Sequence, residues 1–173
     1  AVFGRDIVGF RPGVDSVPQP LMVANFDETD PAISPDGRWI AYTSNETDRY
    51  EVYVRPFPNV DADRWQISTD GGFAPRWAHS GRELFFVDGE GNMSVAAVDG
   101  SAGFRAGSPE ALFALPTDFE GSDGTVTVPY DVFPDDQSFV MARIYRPEGE
   151  ETVEPELILV QNWLEELKAR VPN

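Results

Sequence analysis

The sequence predicts an all-β fold, a partial β-propeller of about three and a half four-stranded antiparallel blades with a short C-terminal helix. Three observations carry this expectation. First, Pro31-Ala-Ile-Ser-Pro-Asp-Gly-Arg-Trp-Ile40, Pro75-Arg-Trp-Ala-His-Ser-Gly-Arg-Glu-Leu84 and Tyr130-Asp-Val-Phe-Pro-Asp-Asp-Gln-Ser-Phe139 each read as a strand, a tight turn and a second strand. Second, the spacing of these hairpins, 44 residues from Ile33 to Trp77 and 55 from Trp77 to Val132, falls at or just above the length of a propeller blade or solenoid unit. Third, 15 Gly and 15 Pro in 173 residues supply the breaks that many short strands require, while 41% hydrophobic residues suffice for a sizeable core.

The elements follow in order. Residues 1–28 form a half-blade, with Asp6 to Phe10 and Pro20 to Asn25 as strands c and d of a unit whose strands a and b are missing. Residues 29–72 form a blade: Ala32 to Ser34 (a), Arg38 to Ser44 (b), Tyr50 to Val54 (c) and Arg64 to Ser68 (d). Its a–b turn is Pro35-Asp36-Gly37. Proline presets φ there, aspartate bonds nearby amides and glycine accepts a left-handed conformation. In the blade of residues 73–117, His79-Ser80-Gly81 makes the turn, Asp88-Gly-Glu-Gly-Asn92 the b–c connection and Glu110 to Leu115 strand d. The blade of residues 118–161 has strands at Tyr130 to Phe133, Ser138 to Ile144 and Leu157 to Val160, with a long acidic loop from Arg146 to Glu156 and no recognisable fourth strand. Residues 162–171 read as a helix, with Asn162 as N-cap, acids in the first turn and bases in the last.

Charge narrows the partners. Thirteen basic against 30 acidic residues give a formal charge of −17, which repels phosphate backbones and anionic lipid surfaces, so nucleic acid is not an expected partner. No apolar run reaches the length of a membrane helix, so no direct membrane insertion is expected. The absence of cysteine fits an oxidising compartment and the cytosol equally.

Catalytic machinery is not expected within the chain. There is one histidine, no cysteine and no Gly-x-Ser-x-Gly elbow, so a Ser-His-Asp triad would have to be built on His79 with Ser80 beside it in a hairpin tip. No cofactor motif is present, and a zinc site lacks ligands. Asp88, Glu90 and Asn92 place three oxygen-bearing side chains at alternate positions, a weak calcium pattern that a plain b–c turn explains better. Trp39, Trp65 and Trp77 lie at strand positions suited to packing between blades, and Trp163 opens the helix.

In an antiparallel blade the b–c and d–a connections share one face of the disc. By this reading that face carries Asp27, Glu28, Asp30, Glu46, Asp48, Asp70, Asp88 and Glu90, continued by Asp123, Glu148, Glu150, Glu151 and Glu154, and opposed mainly by Arg49 and Arg146. Solvated acidic loops of an acidic protein account for such a pattern. The functional alternative is a recognition face for a basic peptide, protein or cation, steered electrostatically and weakened by salt.

Ser34-Pro-Asp-Gly-Arg-Trp-Ile-Ala-Tyr-Thr-Ser-Asn45, Glu51-Val-Tyr-Val-Arg-Pro-Phe-Pro58 and Gly81-Arg-Glu-Leu-Phe-Phe86 resemble the TolB-like, WD40-like (PD40) β-propeller repeats. Together with the closing Leu159-Val-Gln-Asn-Trp-Leu-Glu-Glu-Leu-Lys168, they are similar to the propeller at the C-terminal end of bacterial membrane-associated serine/threonine kinases. The resemblance implies a non-enzymatic interaction or sensor module, the C-terminal part of a propeller in a larger bacterial protein, in a periplasmic or extracytoplasmic setting. Two alternatives stay open: the accessory propeller of an oligopeptidase-type hydrolase, and a free-standing periplasmic TolB-like protein. None of the kinase's own motifs lies in the chain. The sequence departs from the repeat pattern at His79-Ser80, where Pro-Asp is usual, and at Asp136, where Gly37 and Gly81 stand in the other turns; looser turns are expected there. Three and a half units leave blade edges open, which implies either further blades upstream or a homodimer in which the open edges meet.

Overall fold

A computed structural model describes residues 4–116 and 130–142, together with the backbone of 158–160. Every strand pairing is antiparallel, and no helix occurs among the described residues. The class is therefore all-β, as expected. Strands β1 (Ile7–Gly9) and β2 (Gln19–Met22) pair as a two-stranded sheet. Strands β3 (Glu28–Ile33), β4 (Trp39–Ser44), β5 (Glu51–Pro56) and β6 (Trp65–Gln66) follow in chain order as the first full blade. The second comprises β7 (Gly72–Trp77), β8 (Glu83–Asp88) and β9 (Asn92–Asp99), with an outer strand in two pieces, β10 (Arg105–Ala106) and β11 (Glu110–Ala114), both paired to β9. The third contains β12 (Tyr130–Val132), β13 (Phe139–Met141) and β14 (Ile158–Val160). The expected helix over 162–171 and the acidic loop from Arg146 to Glu156 lie outside the described residues.

The inner strands of the first two full blades begin earlier than their sequence suggests, whereas β12 begins at Tyr130 as expected. The stretch Glu28-Thr-Asp-Pro31 reads as a turn, yet β3 already pairs there, with Glu28 opposite Ser44 and a register shift between Thr29 and Ala32. Asp30 takes φ of 53° at that bulge, and Ala74 takes 56° at the matching bulge of β7. A bulge adds one residue and sharpens the twist, which hides the alternation that normally marks a strand.

The a–b turns share one conformation. Gly37 and Gly81 have φ of 70° and 69°, and Asp136 adopts 56° at the equivalent place in the third blade. Aspartate tolerates this left-handed region better than most residues. In the first turn Asp36 accepts from the Ser34 hydroxyl at 2.6 Å, the Arg38 amide at 3.1 Å and the Arg38 side chain at 2.7 Å.

Blades have neighbours on both faces, so alternate residues of one strand serve two interfaces. On β8, Leu84 and Phe86 pack towards the first full blade, while Phe85 and Val87 pack towards the third. On β4, Ile40 and Tyr42 meet Ile7 and Met22 of the half-blade, whereas Ala41 faces the second blade. All of these are buried. Each large side chain so covered stabilises the fold by about 1.5–3 kcal/mol before conformational entropy is counted. The interfaces repeat in register: Ile7 and Met22 on Ile40 and Tyr42 correspond, 44 or 45 positions on, to Val52 and Ile67 on Leu84 and Phe86. The backbone repeats as well. The Glu28 amide donates to the Arg5 carbonyl at 2.7 Å just as the Gly72 amide donates to that of Tyr50 at 2.8 Å. This correspondence identifies β1 and β2 as the c and d strands of a blade.

Candidate functional site

The b–c and d–a connections meet on one face and are held together by backbone contact. Between the first and second full blades, Asp70-Gly71 lies directly against Gly89: a Cβ on Gly89 would stand 2.0 Å from the Asp70 carbonyl oxygen, and one on Gly71 2.8 Å from the Gly89 Cα. Only glycine permits that approach. Beneath it, the carboxylate of the fully buried Glu51 accepts from the Gly71 amide at 3.0 Å and from Arg49 Nε at 3.1 Å, with the Ser68 hydroxyl donating to its other oxygen. Arg49 also donates to the Thr69 carbonyl at 2.7 Å. The loop pair is thus a fixed platform. Sequence reasoning missed Glu51, although its place at the start of strand c, which Asp6 and Asn92 share in the neighbouring units, was a usable signal.

The eight acidic residues assigned to this face divide into three groups. Asp48, Asp70 and Glu90 are exposed, Asp70 with 94% of its side chain accessible and Arg49 3.8 Å away. Asp70 and Glu90 line a recess of about 300 Å³ between the two blades, together with Ser68, Asp88, Ser94 and Pro109.

Asp27 and Asp88 are engaged internally. Asp27 accepts from the Tyr50 hydroxyl at 2.8 Å, the Arg5 amide at 2.9 Å and the Arg5 guanidinium at 3.2 Å; Tyr50 first, then Arg5, hold its carboxyl below the usual range. Asp88 accepts from the Glu90 and Asn92 amides, both at 2.9 Å, from the Asn92 side chain and from the Ser94 hydroxyl at 2.8 Å. Burial pushes its carboxyl up, but these donors outweigh it and leave the group below its ordinary value. With Asn92 donating its amide nitrogen, the Asp88, Glu90 and Asn92 trio is arranged as a turn that caps itself. Among the described residues no group of three or more His, Cys, Asp and Glu is placed to hold a metal ion.

Glu28, Asp30 and Glu46 are wholly or partly covered, Glu46 within the b–c turn expected for it. Glu28 and Asp30 lie in β3 rather than in a loop, and Glu28 is buried, with Oε2 lacking a hydrogen-bond partner. Burial, then the charges of Asp6 and Glu46, push its carboxyl up, against the pull of Arg55. Asp30 sits at the β3 bulge beside the Thr29 hydroxyl. Glu46 is largely covered: one oxygen pairs with Arg64 and the other has no partner. The Tyr53 hydroxyl is likewise unpartnered, and burial first of all pushes it up to about 12.

The opposite face carries a feature the sequence did not announce. The Asp136 carboxylate of the third blade accepts from the His79 amide at 2.6 Å and the Ser80 amide at 2.9 Å, and lies 3.1 Å from His79 Nδ1. Burial raises this carboxyl, but the donors from Ser80 and His79 outweigh that and hold it below its usual range. The two departures from the turn pattern therefore join adjacent blades instead of loosening them. His79 and Ser80 both face Asp136, which is not the order of nucleophile, base and orienting acid that a triad requires. A larger recess of about 720 Å³ on this face, between the first two a–b turns, has mixed charge from Asp36, Arg38, Arg82 and Asp99. The tryptophans act as interface residues: Trp39, Trp65 and Phe104 pack with ring centroids 4.9–5.7 Å apart. Trp163 lies outside the described residues, as do Asp123, Arg146, Glu148, Glu150, Glu151 and Glu154.

No family model matches the sequence, and no curated protein matches it. Among solved structures, the chain is similar to the protein assigned as TolB in Agrobacterium tumefaciens, with a TM-score of 0.53, 15% identity and coverage of 84% of this chain and 49% of that one. It is also similar to oligogalacturonate lyase from Vibrio parahaemolyticus, with a TM-score of 0.54, 13% identity and coverage of 83% of this chain and 40% of that one. The chain thus spans about half of the first structure and less of the second. These similarities support the fold, that of a TolB-like β-propeller.

Proposed function

We propose that this chain is a non-enzymatic interaction or sensor module, the C-terminal part of a TolB-like propeller in a larger bacterial protein, whose face of b–c and d–a loops takes a basic peptide or protein segment. The observation that carries the proposal is the recess between Asp70-Gly71 and Gly89-Glu90. It is fixed at its rim by the close Gly71–Gly89 approach, is flanked by exposed carboxylates, has the exposed Pro109 and Ala111 in its lining and is large enough for a lysine or arginine side chain. A cationic head would meet Asp70 and Glu90 while its stem lies against apolar surface. The kinase-like repeat motifs suggest the extracytoplasmic end of a receptor-like serine/threonine kinase as its context.

The test uses a lysine- and arginine-rich peptide as probe, followed by fluorescence anisotropy at rising salt. Affinity should fall with ionic strength, and Asp70→Asn with Glu90→Gln should weaken it about tenfold. Binding that ignores salt, or that survives the double substitution unchanged, contradicts the reading.

A further inference from the structure

The a–b turns of the first two full blades each carry an arginine, Arg38 and Arg82, 44 positions apart, and only Arg38 has a carboxylate in its own turn. Asp36 holds it, with Oδ2 accepting from the guanidinium Nε at 2.7 Å and Oδ1 from the Arg38 amide at 3.1 Å. The third blade keeps an acid at the matching place, where Asp135 accepts from the Gln137 amide at 2.9 Å. The second blade has Ser80 there, its hydroxyl 3.4 Å from the Arg82 amide. The exposed Arg82 side chain therefore makes no ion pair among the described residues.

Arg82 lines the recess of about 720 Å³ between the two turns, and its other walls continue the imbalance. The Trp39 indole N–H and the terminal nitrogens of Arg38 have no acceptor among the described residues. Gly100 lies against both: a Cβ there would stand 3.0 Å from Trp39 Nε1 and 3.2 Å from Arg38 Nη2, so any side chain would crowd these donors. The acids of the lining are already engaged. Asp36 also accepts from the Ser34 hydroxyl at 2.6 Å, and Asp99 accepts from the Ser101 amide at 2.9 Å. Two blades thus bring unsatisfied donors to one recess, beside the exposed ring of Pro35 and the half-buried indole of Trp39.

We propose that this recess binds a small molecule with a single carboxylate on a flat apolar body, the carboxylate paired with Arg82 and the body lying against Pro35 and Trp39. A guanidinium grips a carboxylate through two parallel N–H donors, and a recess of this size suits a small ligand. One charge fits the surroundings. Asp36, Asp99 and a chain with a formal charge of −17 repel a phosphate dianion more strongly than a monoanion. The site lies on the face opposite the acidic loops and stands independently of the reading given for them.

Titration of the isotope-labelled chain with sodium phenylacetate at constant ionic strength tests the proposal, read by the Trp39 indole N–H resonance, which Trp39→Phe identifies. The resonance should shift saturably, with a dissociation constant of about 1 mM. Phenylacetamide, with the ring but no charge, and acetate, with the charge but no ring, should each bind about tenfold more weakly. Arg82→Gln should weaken phenylacetate about tenfold and leave the melting temperature unchanged. A shift that fails to saturate by about 20 mM, equal affinity for phenylacetamide, or undiminished binding by Arg82→Gln overturns the proposal. So does tighter binding of a glutamate-rich peptide, lost with the same substitution, which would make the occupant a protein segment.

Discussion

The interface between the half-blade and the first full blade and the one between the first and second full blades share a register but not a composition. In the second, Val52, Ile67, Leu84 and Phe86 are sealed by Trp77, whose indole N–H donates to the Ala32 carbonyl at 2.9 Å, and by the Trp39, Trp65 and Phe104 cluster. In the first, Ile7, Met22, Ile40 and Tyr42 occupy the same places, yet Ile33 is half exposed, and Glu28, Glu46 and Tyr53 each carry a buried atom without a partner. Strand pairing sets where blades meet. How tightly they close depends on the inner pair of strands, which brings the residues that cover the next blade.

Truncation should break the comparison most sharply. Phe86→Ala, at the sealed interface, should cost about 3–5 kcal/mol, and Met22→Ala, at the open one, about 2 kcal/mol. Urea denaturation followed by tryptophan fluorescence measures both, and equal costs would deny the difference. Next in size is the latch between the second and third blades. Asp136→Gly keeps the left-handed conformation but removes the acceptor of the His79 and Ser80 amides, so it should lose about 1–2 kcal/mol by the same measurement. A neutral or stabilising result would mean that relief of backbone strain outweighs the latch.

A smaller effect concerns Glu28. Its raised folded-state pKa means that the native protein holds this proton to higher pH than the unfolded chain, so stability is lost as pH rises above about 4 through the folded value. Glu28→Gln removes that cost. The variant should be more stable than the parent at pH 7, with the advantage vanishing below about pH 4. A variant less stable at pH 7 would show that Arg55 outweighs burial.

Much of this architecture was legible in the sequence. The Pro-Asp-Gly turn, its variants at Gly81 and Asp136 and the 44-residue step from Ile33 to Trp77 placed the inner hairpins, because a left-handed turn position restricts the residue that can occupy it. The start of β3 was not legible: a bulge at Asp30 breaks the alternation, so Glu28 and Asp30 read as loop residues although they lie in a strand. The split of the outer strand into β10 and β11 was hidden for a related reason, since edge pieces of two and five residues carry little pattern. On the acidic face, the exposed carboxylates at Asp48, Asp70 and Glu90 were identified by loop position alone. The internal roles of Asp27, Asp88 and Glu51 depend on hydrogen-bond partners that sequence spacing does not reveal. The Asp136 latch, joining residues 57 apart, is of the same kind.

Native-state hydrogen exchange tests the contrast between the interfaces most directly. Amides of β4, β5, β8 and β9 should exchange only through openings close in free energy to global unfolding, whereas those of β1 and β2 should exchange through a local opening that is several-fold more frequent. Uniform protection across both groups, or stronger protection of β1 than of β5, would contradict the account.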